Sequence, residues 1–104
     1  MPTPPTGDVR FTVPLYTSAE AARYLDVPAS TFLTWVKGYR REFRDRPPVT
    51  GEPLVTGLSP ERPGGASIPF GGLAEAMFLS AMRKAGVPLQ QIRPALDLVR
   101  TRLG

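Results

Sequence analysis

Along this chain the apolar positions change period from one stretch to the next. Val9, Phe11 and Val13 alternate with Arg10 and Thr12, the period of a short, half-buried strand that Pro14 stops. From Tyr16 to Trp35 the spacing becomes helical. Thr17 stands three residues before Glu20, a capping box that starts a helix running to about Leu25, with Ala19, Ala22 and Leu25 facing inward. Alanines there let a second helix approach closely. Asp26-Val27-Pro28 is the break, because proline disfavours helix at the residue before it and suits the first turn of the next one. In the second helix, from about Ala29, Phe32, Trp35, Val36 and Tyr39 mark a buried side. Ser30, Leu33, Thr34, Lys37 and Arg41 lie opposite. Gly38 ends this helix, or it runs one turn further to Phe43.

Beyond Pro47 the composition shifts to proline, glycine and threonine. Pro53-Leu54-Val55-Thr56 and Ala66-Ser67-Ile68 are expected to pair as a hairpin across Gly57 to Gly65, with Arg62 near its tip. A long irregular loop is the alternative. Leu73 to Ala85 reads as the third main helix, with Leu73, Ala76, Met77, Phe78 and Ala81 inward and Gly86 as its stop. Leu89, Ile92, Leu96, Val99 and Leu103 then recur at three-four spacing, a narrow seam fit to pack on the third helix or on a partner chain. Pro94 predicts a kink or a late helix start within that segment. Met1 to Asp8 holds almost nothing to bury and reads as a disordered arm. Residues 9–104 are then one domain, mainly α with a small β wing.

Composition narrows the chemistry. The 104 residues include no histidine and no cysteine, which removes zinc sites with nitrogen or sulfur ligands, Ser-His and Cys-His catalysis, and disulfides. The pairs Glu42 with Asp45 and Glu52 with Glu61 have nothing placing them in a cleft, so no enzyme is expected. Gly64-Gly65 and Gly71-Gly72 lack the lysine and hydroxyl residue of a phosphate loop and read as loop flexibility. No cofactor is implied. No apolar run approaches the roughly 20 residues of a membrane span, and the start lacks a signal-peptide core, so a cytoplasmic protein without a membrane partner is expected. Thirteen basic residues against nine acidic give a net charge of +4. Lys37, Arg40, Arg41, Arg44 and Arg46, against Glu42 and Asp45, concentrate that excess just after the second helix.

Two short helices, a tight turn and a second helix that is small and polar first and basic later form a helix-turn-helix pattern, suited to base edges followed by phosphates. The stretch YTSAEAARYLDVPASTFLTW resembles a MerR-type winged helix-turn-helix, in which Thr31, Phe32 and Trp35 match the Thr, apolar, x, x, Trp motif. That family usually has arginine and an aromatic residue just before the tryptophan; here Leu33 and Thr34 stand there. The run SIPFGGLAEAMFLSAMRKAGVPLQQIRPALDLVRTRL narrows the resemblance to the DNA-binding domain of VapB-type antitoxins of actinobacteria, over about residues 14–103.

The resemblance implies a homodimeric regulator that binds double-stranded DNA, represses its own toxin-antitoxin operon, and grips a VapC-type toxin through a region absent from this chain. On that reading the chain is an N-terminal fragment of a longer antitoxin or a lone regulator. Thr17 would lie near a phosphate; Ser30, Leu33 and Thr34, flanked by Thr31, would face bases; Lys37, Arg40, Arg41 and Arg62 would hold backbone phosphates. The seam of Leu89, Ile92, Leu96, Val99 and Leu103 is the candidate dimerisation surface. A protein-interaction module using that seam is the alternative function.

Overall fold

The computed structural model describes residues 9–41, 44, 45 and 47–103. The arm expected at Met1 to Asp8 and the extension expected at Phe43 lie outside the described residues.

The first element is a helical turn, α1 (Val9–Thr12), where alternation predicts a strand. Its turn is closed by the Val13 N–H donating to the Val9 carbonyl at 3.2 Å. At i, i+4 spacing Val9 and Val13 share an exposed side, while Phe11 projects the other way and is buried. Alternation over so few residues does not distinguish the two sides of one helical turn from the two faces of a strand. Pro14 does not stop a strand; it begins β1 (Pro14–Tyr16), which pairs antiparallel with β4 (Ile68–Pro69). Proline is tolerated at a strand's first residue and on a sheet edge, and this two-stranded sheet consists of edges.

α2 (Ser18–Leu25) forms as its capping box predicts. The Glu20 N–H donates to Thr17 Oγ1 at 3.0 Å, and the Thr17 N–H donates to Glu20 Oε1 at 2.8 Å. Its inward residues are Ala21 and Ala22; Ala19 is exposed. The helix ends on Asp26, in the left-handed region at φ 55°. There the Asp26 N–H donates to the Arg23 carbonyl and the Val27 N–H to the Ala22 carbonyl, the bond pair of a Schellman motif. Val27 turns inward with it and packs on the core.

α3 (Ala29–Lys37) stops at Gly38, so Tyr39 and Arg41 do not continue it. Gly38 has φ 77° and ψ −173°, a combination open essentially to glycine alone. A Cβ there would also collide with the Gly51 carbonyl oxygen. That close approach seats a hairpin directly after α3. Its strands are β2 (Tyr39–Arg41) and β3 (Val49–Gly51), with Tyr39 opposite Gly51 and Arg41 opposite Val49.

The hairpin expected between residues 53–56 and 66–68 does not form. Leu54 and Val55 are buried, and both their N–H groups donate to the Trp35 carbonyl, at 2.7 and 3.0 Å. An unpaired carbonyl near a helix C-terminus thereby claims the donors a strand would have used. Ile68, on the other side of the supposed hairpin, pairs with Tyr16 instead. The Leu58 N–H still reaches the Ser67 carbonyl at 2.7 Å, which closes the intervening loop.

α4 (Phe70–Lys84) and α5 (Leu89–Leu103) complete the fold. Gly71 and Gly72 lie in the first turn of α4 and are buried, so flexibility is not their role. A Cβ on Gly71 would overlap the Phe11 ring, and one on Gly72 would strike the Thr56 carbonyl oxygen. Leu73, Ala76 and Leu79 face the core, but Met77 and Ala81, expected inward, are exposed. The end of α4 repeats that of α2: Gly86 has φ 82°, its N–H donates to the Arg83 carbonyl, and the Val87 N–H donates to the Met82 carbonyl. α5 starts at Leu89 and carries Pro94 within it, so the helix start is not delayed. Ile92 and Leu96 are each 1% exposed, in the same cluster as Leu79, Phe32 and Ile68.

Candidate nucleic-acid interface

The surface of α3 is divided by its own period. Phe32 and Trp35 are 0% and 5% exposed, with ring centroids 6.2 Å apart. Arg83 of α4 lies over the Trp35 ring, 5.5 Å from its centroid. Trp35 is therefore held between the core and a guanidinium, and its faces are not offered to a base. On the other side Ser30, Leu33, Thr34 and Lys37 are exposed, while Thr31 is half-buried.

Thr34 stands at the flank of this surface. Its hydroxyl donates to the Ser30 carbonyl at 3.0 Å, which leaves it acceptor capacity toward a ligand. It also borders a recess of about 270 Å³ between α3, α4 and α5, with Trp35, Arg83 and Arg93 in its wall. Pro28 gives α3 no side-chain cap, so the N–H groups of its first turn have no side-chain acceptor from that position. Thr17 is half-buried and bound into the capping box. The hydrogen bond from its backbone N–H, followed by that from its hydroxyl, holds the Glu20 carboxyl below its ordinary pKa. A negative charge at the start of α2 also suits the helix dipole.

The other expected DNA contacts are divided between the β2–β3 hairpin and the loop that precedes β4. Arg40 and Arg41 belong to β2, opposite Thr50 and Val49, so both lie on the hairpin that follows α3. Arg44 is exposed at the turn of that hairpin; Arg46 lies outside the described residues. Arg62 is exposed, but its loop lies beside Pro14, with which it lines a second recess. It is not at the tip of the β2–β3 hairpin, because the strands that form that hairpin are not the ones flanking it.

The expected dimerisation seam is not one surface. Ile92 and Leu96 belong to the interior of a single copy, packed beneath α4. Leu89 is exposed, Val99 is half-buried, and the Leu103 side chain lies outside the described residues. Three-four spacing identifies an apolar stripe correctly here but does not say which copy covers it.

Two features had weak sequence signals. The β2–β3 hairpin was hidden because Tyr39 also fits the helical period of Phe32 and Trp35; the glycines at 38 and 51 were the available clue. Arg83, at the basic end of α4, carries no signal that it would cover Trp35. Among the described residues no helix is long and apolar enough to cross a membrane, and no group of three or more acidic, histidine or cysteine side chains is placed to hold a metal.

Residues 14–96 match a family model described as "Putative DNA-binding HTH domain". The chain is 50% identical over 97 residues to a Mycobacterium tuberculosis protein named "Putative antitoxin VapB45", an alignment covering 93% of this chain and 41% of that protein. The crystal structure of Rv2018 from Mycobacterium tuberculosis is similar with a TM-score of 0.62 and 46% identity, over 85% of this chain and 35% of that one. This chain thus spans about two fifths of the length of the antitoxin relative.

Proposed function

This chain belongs to the helix-turn-helix family described as "Putative DNA-binding HTH domain", and from that premise we propose that it binds double-stranded DNA sequence-specifically through the exposed side of α3. The observation that carries the reading is the division of α3: aromatic anchors on one side, and Ser30, Leu33, Thr34 and Lys37 exposed on the other. Ser30 and Thr34 offer hydroxyl oxygens to base edges, and Leu33 offers an apolar contact of the kind a thymine methyl takes. Thr31 flanks them. Lys37 meets the backbone at the end of the helix, and Arg40 and Arg41 follow on the hairpin, which is read here as the wing. Arg62 and the start of α2 at Thr17 are the remaining phosphate contacts. Such contacts fix register and supply affinity without selecting sequence.

The antitoxin relative supports a biological role. The proposed protein is a non-enzymatic, cytoplasmic transcription regulator that acts as a homodimer and represses its own toxin-antitoxin operon. A VapC-type toxin is the proposed protein partner, on the strength of the relative's being named an antitoxin. The test is selection of bound duplexes from a random pool. Enrichment of one motif is expected, and recovery of a pool without sequence preference would overturn the base-reading role of α3.

A further inference from the structure

α4 presents an apolar stripe to solvent. Phe70 is 47% exposed and Met77 57% exposed; Ala81 is exposed and Ala74 half-buried. These residues recur at spacings of four, three and four, the period of a coiled-coil seam. No charged side chain interrupts the stripe between Phe70 and Ala81: Glu75 is the one charged residue in that span, and it is fully buried on the other side of the helix. An uncharged three-four stripe on an exposed helix face is unusual for a surface left in water.

The order of side-chain sizes identifies its occupant. Side-chain size along the stripe runs large, small, large, small: Phe70, Ala74, Met77, Ala81. When the stripe is laid antiparallel on a second copy, Phe70 meets Ala81 of the other α4, and Ala74 meets Met77. Both layers then place a large side chain opposite an alanine, the alternation by which two facing surfaces interdigitate. The same two-fold operation generates both layers, so the surface is self-complementary, the condition for an isologous dimer. A parallel arrangement would set phenylalanine on phenylalanine and alanine on alanine, a wide layer next to a narrow one, which fits one inter-helix distance less well.

We propose that this face of α4 is the homodimer interface of the domain, with two α4 helices packed antiparallel about an axis between residues 75 and 76. The inference rests on the two-copy part of the functional reading and replaces the seam on α5. Four side chains bury well under the roughly 800 Å² per partner of a standard stable interface, so a weak, reversible dimer is expected. None of the four residues belongs to α3 or to the hairpin, so the interface and the DNA surface can be altered separately.

The test exploits the absence of cysteine from the chain. In the antiparallel register, residue 70 of one copy and residue 70 of the other lie roughly 16 Å apart along the helix axes. Phe70→Cys alone and Ala81→Cys alone should therefore stay unlinked under mild oxidation, whereas an equal mixture of the two should yield a disulfide-linked heterodimer. Sedimentation of the unaltered protein over about 10 to 500 µM should show self-association, and Met77→Glu should abolish it with little change in melting temperature. A protein that dimerises while the mixed cysteines fail to link, or while each links to itself, overturns the α4 register but leaves the homodimer standing. A protein monomeric throughout that range overturns both, and duplex binding by that monomer would leave the DNA-reading role of α3 intact.

Discussion

Arg100 of α5 and Glu75 of α4 form an ion pair in the interior, with the Glu75 side chain fully buried and that of Arg100 28% exposed. Both are bound further. Glu75 Oε1 accepts from the Thr56 N–H at 2.7 Å; Arg100 donates from Nη2 to the Leu54 carbonyl at 2.7 Å and from Nη1 to Asp97 Oδ1 at 2.9 Å. The pair thus fastens α4, α5 and the segment 54–56, whose amides in turn cap α3.

Removing Arg100 leaves the buried Glu75 charge without its counter-ion, with only the Thr56 N–H, among the described residues, still donating to it. Arg100→Ala is expected to destabilise the fold by about 3 kcal/mol, measured by urea unfolding. Glu75→Gln with Arg100→Met should recover most of that loss, because glutamine keeps an oxygen for the Thr56 N–H and no charge remains buried. A double variant as unstable as Arg100→Ala would show that the charges themselves are required.

The first turn of α2 should respond to acid. Glu20 has its pKa lowered in the folded state, chiefly by the Thr17 N–H, so its contribution to stability is complete above the pKa of the unfolded chain and is lost as pH falls through the lower, folded value. Glu20→Gln should lie below the unaltered protein in melting temperature near neutrality, and the gap should close on acidification below the ordinary carboxylate range. A constant gap across that titration would contradict the ionised capping box.

Asp26 occupies the left-handed position that Gly86 occupies in the equivalent motif after α4. A non-glycine residue there is strained, and a carboxylate at a helix C-terminus opposes the dipole. Asp26→Gly is expected to raise stability by about 1 kcal/mol, read by thermal unfolding. A lower melting temperature would show that the Asp26 side chain makes a contribution larger than its strain.

On α3 and the hairpin, the phosphate and base roles are separable by salt. Lys37→Ala with Arg41→Ala should weaken duplex binding and flatten the dependence of log affinity on log salt by about 2 units of slope, since two counterion-releasing contacts are lost. Leu33→Ala should leave that slope unchanged while relaxing preference at one base position. Unchanged affinity and slope in the paired variant would remove both cations from the interface.

Legibility in the sequence varied with the range of the interaction. The capping box, the break at Asp26-Val27-Pro28, Trp35 as a core anchor and the exposed positions Ser30, Leu33 and Lys37 were all readable, because each depends on residues within about one helical turn. The partners of Ile68, the site of the hairpin and the side of α4 that faces water were not. Leu54 and Val55 look like strand residues until the Trp35 carbonyl takes their amides, and Gly71-Gly72 looks like a loop until Phe11 and Thr56 press against it.

By itself, then, the sequence determined the helix pair, the capping box of α2 and the polar side of α3, all set by local hydrogen bonds and a 3.6-residue period. Tertiary structure decided which apolar stripe is interior. The seams on α4 and α5 have the same spacing, but Ile92 and Leu96 are enclosed by α4 and the core, whereas Phe70 and Met77 are left outside. Periodicity records that a face must be covered, and only the packing of distant segments determines what covers it.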